Sequence, residues 1–150
     1  MSSRGVLASV RRVGHAVWTE RRMFEVLGSW VRDTAEPEVK VALATQSRHH
    51  AWRADQLATL LSTFAGTDAS QLTVAPDGSV DDALGACADA VTAERLAVVL
   101  DLTGRLVVEY EALRAGASEV ADGPAVRILS IVVDDLQRDR RGVDVLLAED

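Results

Sequence analysis

Cysteine, proline, lysine and aromatic residues are all scarce in this chain of 150 residues. Cys87 is the only cysteine, which excludes an internal disulfide and suits a reducing compartment such as the cytosol. Aromatic residues make up only 4% of the chain, so a core must be built from Val, Leu and Ala. A membrane span needs about 18 uninterrupted apolar residues, and no stretch of this sequence comes near that length. The N-terminal residues also lack the apolar segment that is typical of a signal peptide. We therefore expect a soluble cytoplasmic protein that does not enter a membrane.

Positive charge is also in short supply. The net charge is −7 and the isoelectric point about 4.9, and no basic face with interleaved aromatic residues is visible. A phosphate backbone would be repelled, so nucleic acid is excluded as an expected partner. Lys40 is the only lysine among the sixteen basic residues, a bias that suggests a GC-rich bacterial genome.

Apolar residues recur at steps of three and four along four segments, a pattern typical of amphipathic helices. Breaks near residue 35 and at 115–123, and a turn-rich stretch at 66–80, separate the segments. The sequence predicts a single domain, residues 1–150, with helices at about 5–33, 37–65, 81–114 and 124–148. The predicted inward residues include Val6, Val17, Phe24 and Leu27 on the first helix, Leu43, Leu57 and Phe64 on the second, Leu84, Ala88, Val99 and Tyr110 on the third, and Leu129 and Leu136 on the fourth.

The lengths of the connections favour one topology. A helix of about 28 residues is ~42 Å long, and fifteen extended residues reach ~50 Å. The 66–80 stretch can therefore run back along the whole length of the bundle before the third helix begins near Asp81. We expect an all-α, antiparallel four-helix bundle with a long crossover between its second and third helices, rather than an up-down-up-down bundle with a loose loop.

Polar residues interrupt the apolar stripes near the middle of the predicted bundle. Glu20 lies between Val17 and Phe24 on the first helix. Residues equally far before and after the break near residue 35 lie at the same height, so Glu20 should face His50. We predict a core polar layer, which is also the candidate ligand site, consisting of Glu20, Gln46, His49, His50, Arg53, Arg95 and Asp139.

This layer has two interpretations. Buried charges are costly unless they are paired, so the residues could form an ion-pair network that fixes the register of the helices. They could instead hold a metal, with Glu20, His49 and His50 as ligands, or a small anion bound by Arg53 and Arg95. On the last helix, the charged group of Asp134, Asp135 and Asp139 with Arg138, Arg140 and Arg141 is interpreted as a solvated i,i+4 charge face, although Asp139 leans inward.

A Glu on the first helix that faces a carboxylate-x-x-His pattern on the second resembles the half-site of ferritin-like di-iron proteins. Glu20 matches that pattern, and Gln46-Ser47-Arg48-His49 keeps its spacing with Gln in place of Glu. On the later helices, Arg95 takes an inward position and Arg138 stands where the family has His. The resemblance implies the ferritin-like fold with a degenerate metal site.

Two segments, Glu20-Arg-Arg-Met-Phe-Glu-Val-Leu-Gly28 and Ser47-Arg-His-His-Ala-Trp52, are also similar to short ferritin-like proteins of actinobacteria. We expect a metal-free bundle that acts as a protein-binding, accessory or scaffold module, with a second copy of itself as one candidate partner and no cofactor. The alternative is an oxidase or hydroxylase that holds iron or manganese through Glu20 and His49 or His50.

Overall fold

The computed structural model describes residues 3–61, 68–117 and 122–149, and every regular element in these ranges is a helix. The predicted all-α class is therefore confirmed. The six helices of this part of the chain are α1 (Ser3–Trp30), α2 (Pro37–Leu61), α3 (Ala69–Leu72), α4 (Ser79–Gly85), α5 (Thr92–Gly116) and α6 (Gly123–Ala148). The end of the predicted second helix, with Phe64, lies outside the described residues, as does Gly66.

The ends of the helices follow local chemistry. Pro37 opens α2 and Pro124 stands in the first turn of α6, where a missing N–H breaks no helical hydrogen bond. Asp68 caps α3, because its side chain accepts a hydrogen bond from the Ser70 amide over 3.0 Å. The predicted turn-rich stretch therefore contains the short helix α3 and, from Ser79, the start of α4.

The prediction of one continuous helix over residues 81–114 was wrong. The chain turns at residues 86–91 between α4 and α5, and Ala88, predicted to point inward, is exposed. Arg95 helps the chain to tolerate this break, since its guanidinium donates hydrogen bonds to the carbonyls of Cys87 and Ala88. Carbonyls at a helix end lose the partners that a continuous helix provides, and Arg95 supplies donors in their place.

Phe24 was also predicted in the core, but 42% of its surface is exposed. The neighbouring Met23 is fully buried and takes the inward position. Successive residues point about 100° apart around a helix, so only one of the two can face the core. Val6, near the start of α1, is exposed as well.

α1 packs along α2, α5 packs along α6, and α2 contacts α6. The described part of the connection between α2 and α5, from residue 68 onward, lies against α1. A Cβ atom added to Gly14 of α1 would overlap the carbonyl oxygen of Leu72, so the two backbones touch. Further along, His15 of α1 contacts the carbonyl of Val74, and Arg22 of α1 binds Asp81. At the end of the connection, Thr92 of α5 bonds Glu36, which lies just before α2. Among the described residues no helix is long and apolar enough to cross a membrane.

Candidate functional site

Arg53, in the middle of α2, is the hub of a buried polar cluster. Its side chain is fully buried. Nε donates to Oε2 of Glu20 on α1 over 2.8 Å. Nη1 donates to Oδ2 of Asp135 over 2.6 Å and to Oδ2 of Asp139 over 2.9 Å, both on α6. One guanidinium therefore joins three helices through three carboxylates.

The charges of this cluster support one another. Burial by itself would raise the pKa of Glu20, but the groups around the carboxylate, led by the positive charge of Arg53, together outweigh burial and lower this pKa below its ordinary value. Burial would likewise lower the pKa of Arg53, but Glu20 and Asp139 raise it above its ordinary value. Both side chains are therefore charged at neutral pH.

His50 lies beside this pair and is fully buried. Its Nδ1 is 3.0 Å from Nη2 of Arg53. A guanidinium can only donate, so Nδ1 accepts and the proton of the neutral ring is on Nε2. The contact between Nδ1 and Oε1 of Glu20, at 3.4 Å, then joins two acceptors. Nε2 itself is buried and has no hydrogen-bond partner among the described residues.

Tyr110, from α5, completes the buried cluster. The side chain is fully buried, and its hydroxyl forms no well-directed hydrogen bond within the described part of the chain. Burial, followed by the negative charge of Glu20, raises the pKa of Tyr110 well above its ordinary value. Sequence reasoning placed Tyr110 in the core but missed its place beside Glu20. The only signal was its inward position, which does not identify a neighbour.

Two predicted residues lie where α2 meets α6. Gln46 donates through Nε2 to the backbone carbonyl of Asp139 over 3.0 Å. His49 has 41% of its side chain exposed, and its Nδ1 lies 2.8 Å from Oδ1 of Asp139. The cluster therefore extends from the buried Glu20 to the surface at His49.

Arg95 does not belong to this cluster, and its prediction at the height of Glu20 was wrong. The side chain is buried near the start of α5, where its two Nη atoms bind the carboxylate of Asp33 over 2.9 and 3.1 Å. The guanidinium also lies over the ring of Trp30, 5.0 Å from its centre. The hydrogen bonds from Arg95 lower the pKa of Asp33. Because the chain breaks before α5, Arg95 lies beside Trp30 and Asp33 at the C-terminal end of α1, and not level with Glu20.

The interpretation of Asp134, Asp135 and Asp139 as one solvated face was also wrong. Only Asp134 is exposed, whereas Asp139 is buried and Asp135 partly buried. Asp135 and Asp139 are four residues apart, so both point at Arg53 from one face of α6. Asp135 belongs to the cluster but was not among the predicted site residues. It follows the inward residue Val132 by three positions, and this helical spacing was the signal that could have found it.

The residues of the cluster allow few kinds of chemistry. His49, Asp135 and Asp139 each offer one metal-ligand atom, and these atoms lie within 4.8 Å of one another. Glu20 is instead held by Arg53, and arginine keeps its proton inside proteins. No family model, no curated protein and no solved structure matches this chain.

Proposed function

We propose that this chain is a ferritin-like, antiparallel four-helix bundle that has no di-iron centre and acts as a protein-binding module. The four helices of the bundle are α1, α2, α5 and α6. The state of Glu20 carries the proposal, because the carboxylate that resembles a di-iron ligand is bound to Arg53 over 2.8 Å.

Contacts between the long helices support the antiparallel bundle. Along α1 and α2, Ser47 bonds the carbonyl of Phe24 and Arg53 bonds Glu20, so residue numbers rise along one helix as they fall along the other. The same holds for α5 and α6, where the bonded pairs are Thr103 with Arg140 and Arg114 with Ser130.

The crossover is supported by the path of the connection. Leu72 packs against Gly14, and Asp81 accepts a hydrogen bond from Arg22. The chain from Leu72 to Asp81 therefore runs along α1 towards the C-terminal end of that helix. Thr92, the first residue of α5, then bonds Glu36, which directly precedes α2. α2 and α5 therefore start at the same end, which is the arrangement of a ferritin-like bundle.

Charge argues against two metal ions in this core. Glu20, Asp135 and Asp139 carry three negative charges, and Arg53 contributes one positive charge. Two divalent ions would leave the cluster with an excess of two positive charges in a buried site. Burying such an excess is costly, whereas Arg53 already gives each of the three carboxylates one hydrogen bond.

For the binding face we propose the outer surface of α2, with a second copy of the chain as the partner. Val41 is 67% exposed and Trp52 is 42% exposed, and both share the outer face with Arg48. A two-fold axis that passes near residue 50 would set Arg48 against Trp52 of the partner subunit, and the reverse. A cation over a Trp face is favourable, and each such contact occurs twice in a symmetric pair.

Sedimentation velocity over a range of protein concentrations tests this face. We expect the wild-type chain to self-associate and the Trp52→Ala variant to remain monomeric. Val108→Ala is the matched control, because Val108 is 68% exposed but lies on α5, and it should associate like the wild type. A wild-type chain that stays monomeric at all concentrations would refute the second copy as partner.

The alternative oxidase, with iron or manganese held by Glu20 and His49 or His50, makes an opposite prediction for metal content. It requires Glu20 to leave Arg53 for a metal. Elemental analysis of the purified protein separates the two proposals. Stoichiometric iron or manganese, lost in Glu20→Ala and accompanied by oxygen consumption, would replace the binding module with the oxidase.

A further inference from the structure

Three side chains lie together where α2 and α6 meet the surface: His49, Asp135 and Asp139. One ligand atom from each lies within 4.8 Å of the other two. Side-chain exposure falls from 41% at His49 through 25% at Asp135 to 8% at Asp139. The group therefore has a buried floor and an open side towards solvent.

The charge around these side chains is not balanced. Arg53 is the one guanidinium that contacts the carboxylates of Glu20, Asp135 and Asp139 in the described part of the chain, so two negative charges remain when the histidines are neutral. One divalent cation would bring the cluster to neutrality. Partly buried carboxylates attract such an ion more strongly than carboxylates in bulk water do, because the surrounding dielectric is lower.

Arg53 leaves ligand atoms available on both aspartates. It binds the Oδ2 atoms of Asp135 and Asp139 through Nη1. Oδ1 of Asp139 faces Nδ1 of His49 at 2.8 Å. A carboxylate can bind a metal with one oxygen and accept a hydrogen bond with the other, and such bonds commonly orient metal ligands.

We propose that His49, Asp135 and Asp139 bind a single Zn²⁺ ion, which ties α2 to α6 at the edge of the polar cluster. An imidazole with two carboxylates suits zinc, whereas calcium and magnesium take oxygen ligands. Zinc bonds of about 2.1 Å in tetrahedral geometry place ligand atoms about 3.4 Å apart. Small side-chain movements therefore complete the site from ligand atoms that lie within 4.8 Å of one another. Water fills the remaining position on the open side.

This site goes beyond the proposed protein-binding function and differs from a di-iron centre in its ligands. It excludes Glu20, which stays with Arg53, and it uses two aspartates of one helix. Its expected consequence is structural, because an ion that binds only the folded chain raises the thermal midpoint.

The test is calorimetric titration of the full chain with Zn²⁺, after removal of metals with a chelator that is itself then removed. We expect one ion per chain and a higher thermal midpoint in the presence of Zn²⁺. His49→Ala and Asp135→Asn should each weaken binding at least about tenfold. The matched controls are His15→Ala on α1 and Asp134→Asn, an exposed neighbour on α6, and both should bind like the wild type.

Co²⁺ gives a second measurement that needs no variant. In the wild-type chain, nuclear magnetic resonance should show paramagnetic shifts at the imidazole of His49 and none at that of His15. Absence of Zn²⁺ binding, unchanged binding in both ligand variants, or Co²⁺ shifts at His15 instead would overturn the site. Zinc affinity should not change in Trp52→Ala, so failure of the self-association proposal would leave this result intact.

Discussion

Nε of Arg53 donates to Oε2 of Glu20 over 2.8 Å, and neither side chain reaches solvent. The pair links α2 to α1, and Arg53 extends the link to α6 through Asp135 and Asp139. The buried carboxylate of Glu20 is thus paired with a cation of the protein itself. The same guanidinium also holds the two aspartates of the proposed zinc site.

Replacement of Glu20 by Ala should lower the free energy of unfolding by about 3 kcal/mol, the lower end of the range for a broken buried ion pair. The lower end applies because Arg53 keeps two other carboxylates. Urea denaturation measures the change. Glu25→Ala is the control, since Glu25 is exposed and should cost less than about 1 kcal/mol. Equal losses in the two variants would mean that Glu20 is solvated.

Acid should destabilise the fold through Glu20. Its pKa in the folded chain is below the ordinary value of 4.5, so the folded state holds the proton less tightly than the unfolded state does. The stabilisation is therefore complete above about pH 4.5 and is lost as the pH falls through the lowered pKa. Urea midpoints measured from neutral to acidic pH should fall more steeply for the wild type than for Glu20→Gln. Parallel curves would contradict the lowered pKa.

Tyr110 is the only tyrosine in the chain, so its ionisation can be followed by the absorbance of tyrosinate. Its pKa is raised above the ordinary value of 10.0, so the folded state holds the proton more tightly than the unfolded state does. This stabilisation is present below about pH 10 and is lost as the pH rises through the raised pKa. Tyrosinate should therefore appear together with alkaline unfolding, as judged by circular dichroism. Its appearance near pH 10 in a folded chain would contradict the burial of Tyr110.

The Tyr110→Phe variant tests whether the buried hydroxyl of Tyr110 contributes to stability. The hydroxyl is buried without a hydrogen-bond partner among the described residues, so its removal relieves a desolvation cost. Denaturant titration should show unchanged stability or a gain of about 1 kcal/mol. A loss larger than about 1 kcal/mol would reveal a hydrogen bond, for which the carboxylate of Glu20 is the candidate acceptor.

Gly14→Ala should loosen the connection from α1. The new Cβ would overlap the carbonyl oxygen of Leu72, so one backbone must move. We expect a loss of about 1–3 kcal/mol and faster hydrogen exchange in α3. Gly85→Ala is the control, because no atom lies within 4 Å of the added Cβ. A stable Gly14→Ala variant with unchanged exchange would show that the connection does not press on α1.

Part of the polar cluster could be predicted from the sequence. Glu20 and His50 were expected to face each other because they lie equally far from the break near residue 35, and their side chains are 3.4 Å apart. This reasoning works for helices joined by a short connection, because the connection fixes their relative height. It failed for Arg95, which follows a long connection and an unpredicted break.

The sequence by itself determined the all-α class, the approximate positions of the long helices and the polar interruption at Glu20. These features depend on residues close in the chain, through the 3.6-residue period of the helix. Only the tertiary structure decided which groups Arg53 binds and that Tyr110 lies beside Glu20. Periodicity shows which side of a helix is buried, but the partners of a long side chain depend on how separate helices pack.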